Sequence, residues 1–251
     1  MMRIAVRFAL LLAIGMSSAN ASGLSLNWDG CAADGRVANK TSACTANVGS
    51  AGIMVATFNV SEDLLSVGGL EVFVDLVSGG TVLPAWWTKS CRTPFSLNSV
   101  IEPTALQCRD WSSGRASGGL AAYGSCSNSP SAAGILAGFV IVPAGSVDVL
   151  ALPPDGSEYF AFNIVLSNAK SSGTGGAGSC AGCDTPVILS FNALRIFSGA
   201  TTVAITGAPQ SPASNVVSWQ GGAGIYWPPT SGCQFTPTHK STWGSVKALY
   251  R

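Results

Sequence analysis

Three segments of the chain alternate apolar and polar side chains with a period of two. In residues 69–78 (GLEVFVDLVS), Leu70, Val72, Val74 and Leu76 fall on one side, and Glu71, Phe73 and Asp75 on the other. Residues 157–167 place Phe160, Phe162, Ile164 and Leu166 together, and residues 186–197 alternate from Val187 through Phe197. A period of two puts successive side chains on opposite faces of a strand, so these stretches predict strands with two distinct sides. Residues 24–28, 53–60, 134–142, 201–206 and 215–219 are further strand candidates. Gly, Pro, Ser and Asn clusters separate them, for example Pro153-Pro154-Asp155-Gly156, which are turn signals. No heptads occur, and no long helical stretches alternate with the strands. The pattern therefore predicts an all-β chain: an antiparallel β-sandwich of jelly-roll or cohesin-like type. Residues 90–129 read as a long irregular excursion.

The N-terminus reads as a signal peptide. Arg3 and Arg7 are its charged part, residues 8–16 (FALLLAIGM) its apolar part, and Ala19-Asn20-Ala21 its cleavage site. The expected organisation is a signal peptide at 1–21, a sandwich domain at 22–235 and a tail or short helix at 236–251. No later segment reaches the ~18 apolar residues of a membrane-spanning helix. All eight Cys lie after Ala21, and an even count in an exported chain predicts a disulfide framework. Proximity along the chain suggests Cys31–Cys44, Cys91–Cys108 and Cys180–Cys183, leaving Cys126 for Cys233. The Cys180-Ala-Gly-Cys183 motif reads as a tight structural disulfide. A redox pair would need its first Cys at a helix N-terminus, where the thiolate is stabilised; a zinc site would need more ligands.

Composition narrows the chemistry. The chain holds 13 Lys+Arg, 12 Asp+Glu and 1 His, a formal charge of +1. Cleavage would remove Arg3 and Arg7, which turns +1 into −1. Neither value suits a nucleic-acid surface. The lone His239 stands beside Lys240 in the tail, and no Gly-x-Ser-x-Gly accompanies it, so a nucleophilic triad has little support. A glycosidase would need two facing carboxylates, drawn from Glu62, Glu71, Glu102 and Glu158; a solvated sheet face also accounts for Glu71 with Asp75. Calcium is the one cofactor with any basis. Asn27, Asp29 and Asp34 sit among glycine turns and can supply oxygens, although Asp-Gly is an ordinary turn pair.

Aromatic residues offer the binding hypothesis. Trp86, Trp87 and Trp111 lie near loops, where exposed rings stack on sugars or proteins; buried core positions are the alternative. At the C-terminus, Trp243, Val246 and Tyr250 share one face of a short helix after a Ser241 or Thr242 cap. That segment reads as a docking or sorting tail, or as a helix packed on the sandwich.

Several motifs occur together: Leu24 to Cys31 (LSLNWDGC), Leu83-Pro84-Ala85-Trp86-Trp87, Cys180-Ala-Gly-Cys183 before a strand, and Thr242 to Arg251 (TWGSVKALYR). In this combination the chain resembles a group of uncharacterised secreted bacterial proteins. The resemblance runs through most of the chain after Ala21 and implies secretion, without an activity. The alternating strands are also similar to cohesin-like and carbohydrate-binding sandwiches, an analogy of fold alone. The expected function is a secreted or periplasmic, non-enzymatic binding or cell-surface structural module. Its partner would be a protein or polysaccharide at the cell surface, not a nucleic acid. A carbohydrate-binding protein using exposed tryptophans and a glycoside hydrolase are the alternatives.

Overall fold

A computed structural model describes residues 23–80, 82–99, 107–125, 133–142, 151–173, 178–207 and 214–222, with the backbone alone for 121–125 and 133–137. The expected signal peptide, the Cys126–Cys233 pair and the C-terminal helix lie outside the described residues.

The chain is mostly β. Eleven described strands run in order: β1 (Gly23–Trp28), β2 (Asn39–Lys40), β3 (Ser50–Asn59), β4 (Val67–Ser78), β5 (Phe95–Asn98), β6 (Ser117–Ser125), β7 (Ala133–Ile141), β8 (Tyr159–Ser167), β9 (Val187–Ser198), β10 (Thr201–Thr206) and β11 (Val216–Trp219). They form two sheets. The smaller has the order β1-β3-β8-β5; the larger has β2-β11-β9-β4-β7-β6, with β10 also paired to β9. All described strand pairings are antiparallel except β11 with β2.

One buried cluster draws on both sheets. Leu26, Met54, Phe58, Phe162 and Ile164 come from the smaller sheet; Leu70, Val74, Leu189 and Phe191 come from the larger. Removing such apolar area from water is the main favourable term in folding, at roughly 25 cal/mol per Å². The sheets are also tied along their margins. At one, Arg36 Nη1 donates to the carbonyls of Leu26 and Ser214, both at 2.6 Å, and Nη2 donates to that of Val216. At the other, β5 lies against β6, and Leu97 occupies space that a side chain at Gly138 would take, 2.5 Å from that Cβ position.

Two irregularities reset the alternation expected from the sequence. In β8, Ala56 pairs with Phe162 but Thr57 pairs with Phe160, so Ala161 is an extra residue. Such a bulge shifts the side-chain phase by one. Phe162, Ile164 and Leu166 therefore face the main core, while Phe160 joins Cys31, Val55 and Cys108 in a second cluster. In β9, Phe73 pairs with Ala193 and Val74 with Phe191, which leaves Asn192 as the extra residue. Val187, Leu189 and Phe191 enter the core before it, and Leu194 and Ile196 after it.

The disulfides differ from the neighbour pairing. Cys31 bonds Cys108, Cys44 bonds Cys183, and Cys91 bonds Cys180. The expected Cys31–Cys44, Cys91–Cys108 and Cys180–Cys183 pairs are corrected, because sheet pairing, not chain distance, decides which thiols meet. The parallel contact of β2 with β11 brings the Cys44 segment to Gln220, whose Nε2 donates to Ser42 O at 2.7 Å. The β5–β8 pairing brings Cys91 to Lys170, whose Nζ donates to Cys91 O at 2.7 Å, and Cys180 N donates to Lys170 O at 2.9 Å. These cross-links point to an oxidising, extracellular environment. No helix among the described residues is long and apolar enough to cross a membrane.

Candidate functional site

Trp86, Trp87 and Trp111 do not present exposed rings. Trp86 and Trp87 are fully enclosed and Trp111 is 5 % exposed. The turn Ala85–Trp87 carries the first two inward, onto Trp219 of β11. Trp86 stacks on Trp219 with centroids 5.5 Å apart, Trp87 meets both edge-on, and Trp28 completes the group 6.0 Å from Trp219. Three of their indole N–H groups are used internally: Trp86 donates to Ser171 Oγ at 2.8 Å, Trp28 to Ser218 O at 3.1 Å and Trp219 to Cys183 O at 2.6 Å. The Arg92 guanidinium lies 3.5 Å from the Trp86 ring centroid, a cation–π arrangement, and donates to the carbonyls of Trp86 and Ser167. A strand signal followed by Pro84 suggests rings at a rim; instead the Cys180–Cys183 loop is bonded to this group, with Trp86 N donating to Ala181 O at 2.9 Å. Asp110 tightens the turn that carries Trp111 inward, its carboxylate accepting from Ser112 N at 2.8 Å and Gly114 N at 2.6 Å.

The acidic candidates hold the scaffold. Glu158 accepts from Ala32 N at 2.8 Å and Ala33 N at 2.9 Å, and from the Thr57 hydroxyl. Glu71 on β4 accepts from Arg195 Nη1 at 2.8 Å. Glu158 directly precedes β8 of the smaller sheet and Glu71 lies on β4 of the larger, with Glu62 exposed between β3 and β4 and Glu102 outside the described residues. Asp29 pairs with Lys40, while Asp34 accepts from Cys31 N at 2.8 Å and Gln107 N at 3.2 Å. Both carboxylates of the calcium expectation are thus engaged within the scaffold. Asn27 is also structural: its Nδ2 donates to the carbonyls of Gly30, Cys31 and Gly35, and its Oδ1 accepts from Val37 N. Among the described residues, no group of three or more His, Cys, Asp or Glu gathers to hold a metal ion.

Asp75 is a further correction. Instead of a solvated face it has 1 % exposure. Burial pushes its carboxyl up to about 7, against the lowering effect of the Asn192 hydrogen bond. Asn192 Nδ2 donates to Oδ2 at 2.9 Å, while Oδ1 has no partner. The bulge at Asn192 thus supplies a donor to a carboxyl that has lost its water.

Among the described residues one cleft stands open, which strand alternation does not predict. It has a volume of about 570 Å³ and is lined by Ile53, Asn98, Ser99, Ala116, Ser117, Gly118, Asn163 and Val165. Strand pairing assembles it: Asn98 of β5 stands opposite Asn163 of β8, and Ile53 of β3 opposite Val165. The start of β6 forms the remaining wall. Gly118 is required there, because a Cβ would stand 2.2 Å from Phe139 O on β7. Asn163 is 8 % exposed, and its Oδ1 has no hydrogen-bond partner.

The chain matches no family model, no curated protein and no solved structure. The candidate site therefore rests on the geometry above. Its volume falls in the range of small-molecule sites, roughly 300–1,000 Å³. Only one lining residue stands out in the sequence: Asn is depleted in strands, yet Asn163 stands between Tyr159-Phe160-Ala161-Phe162 and Ile164-Val165-Leu166.

Proposed function

We propose that this chain is an exported, disulfide-locked antiparallel β-sandwich that serves as a binding or cell-surface structural module and not as a catalyst. The sandwich reading is supported by the main buried cluster, to which both sheets contribute. Export is supported by the three cross-links, by the leader-like residues 1–21 and by the resemblance to secreted bacterial proteins. The partner is a polysaccharide or protein at the cell surface.

The observation that carries the non-catalytic reading is how the side chains are used. Glu71, Glu158, Asp34 and Asp110 bind arginine or backbone N–H groups of the scaffold, whereas the described residues lining the cleft carry no charge. Rigid scaffolds that present a neutral polar concavity suit recognition. The exposed-tryptophan version of carbohydrate binding is set aside, since Trp86, Trp87 and Trp111 are enclosed.

The test is turnover. The oxidised protein is incubated with panels of glycans and peptides, and products are read by mass spectrometry. No product is expected. Hydrolysis abolished by Glu71→Gln or Glu158→Gln, with the fold intact, would overturn the proposal.

A further inference from the structure

We propose that the cleft between β5, β8 and the start of β6 binds a neutral sugar. This rests on the binding-module reading above and adds the ligand class and the residues. None of the eight described lining residues is charged, so a phosphate, carboxylate or ammonium ligand would find no opposite charge among them. Four are polar (Asn98, Ser99, Ser117 and Asn163) and three are aliphatic (Ile53, Ala116 and Val165). A pyranose has the same division, with a rim of hydroxyls and patches of C–H.

Asn98 and Asn163 form the recognition pair. They stand directly opposite in the β5–β8 register, and side chains so placed are neighbours on one face. Each amide offers a carbonyl acceptor and two N–H donors, a set that fits vicinal hydroxyls, which both donate and accept. Asn163 is the stronger evidence. It is more than nine-tenths buried, and its Oδ1 has no partner within the protein. Buried polar atoms are normally satisfied. The terminal torsion of Asn is soft, so a small rotation turns this oxygen into the cleft to accept a ligand hydroxyl. An apolar ligand would leave it unsatisfied. Ile53, 39 % exposed beside Val165, gives the C–H patches a surface.

The experiment is a titration of the full oxidised protein with cello-, xylo-, manno-, malto- and chito-oligosaccharides, followed by backbone and side-chain amide NMR. Saturable shifts centred on Asn98, Ser117, Gly118 and Asn163 with at least one sugar are expected. Asn163→Leu keeps the approximate size and removes the hydrogen bonds; Ser117→Trp, at an exposed strand position, fills the cleft. Each should weaken that sugar more than 10-fold while leaving the remaining amide spectrum in place. The absence of shifts with every sugar overturns the assignment, and so do shifts elsewhere that both variants leave unchanged; both outcomes leave the binding-module reading standing. Cleavage of a sugar during the titration would instead overturn that reading.

Discussion

Asp75 lies between Val74 and Leu76 on β4, 1 % exposed, with its carboxyl pushed up to about 7. An unfolded chain releases that proton near pH 4. Between about pH 4 and 7 the folded state therefore binds a proton that the unfolded state has lost, so stability falls as pH rises through that window and stays low above it. Asp75→Asn removes this dependence. Urea denaturation should show the variant close to the wild type at pH 4 and more stable at pH 8, by up to about 4 kcal/mol at 1.36 kcal/mol per pH unit. Equal pH slopes in the two proteins would contradict the account. Asn27 is the opposite case, a neutral side chain that satisfies three carbonyls and one N–H. Asn27→Ala should cost roughly 2–3 kcal/mol by leaving buried backbone groups unpaired, read as a lower Tm. Alternation along β4 puts Asp75 on the side opposite Val74 and Leu76, which face the core. Parity does not say what lies over that second side, so the burial of Asp75 is not legible in the sequence. The enclosure of Trp86 and Trp87 is hidden for a related reason, since their partner Trp219 is distant in the chain.

At the level of elements, the alternating strands are the legible part. The stretches around 24–28, 53–60, 69–78, 134–142, 157–167, 186–197, 201–206 and 215–219 all contain strands of the structure. The bulges are not legible, because one extra residue leaves both halves of a strand looking regular. β5 and β6 fall inside the stretch that reads as an excursion. β6 is built largely from Ser, Gly and Ala (SGGLAAYGS), which lack the β-branched signature, and it is held through its pairing with β7. These strands and the flanking Ser99 and Ala116 supply five of the eight described lining residues of the cleft, so most of the candidate site is hidden with them. The Cys180-Ala-Gly-Cys183 loop makes a sharp prediction. Gly182 has φ +97°, and a Cβ there would stand 2.3 Å from Pro84 Cβ. Gly182→Ala should therefore cost more than about 1 kcal/mol through its backbone conformation alone, with the clash against Pro84 added. Chemical denaturation checks it, and a neutral result would mean the loop does not dock on Pro84. Replacing Cys44 and Cys183 together by Ser opens a link spanning 139 residues. That should cost about 3–5 kcal/mol by loop entropy, read in the same denaturation experiment.

For the whole molecule, composition and cysteine count point to the compartment but not to the wiring. Low charge and eight Cys fit an exported sheet protein. Which thiols meet depends on sheet order, and sheet order depends on long-range pairings such as β2 with β11 that local pattern does not encode. The described residues hold two sheets that share a main buried cluster, and the two cysteines of the Cys180–Cys183 motif bond separate partners. Each described cross-link thus joins segments far apart in the chain that the sheets bring together. Non-reducing peptide mapping of the oxidised protein by mass spectrometry reads this wiring. Peptides linked as Cys31–Cys108, Cys44–Cys183 and Cys91–Cys180 are expected. Free thiols at these positions, or a bond between Cys180 and Cys183, would contradict it.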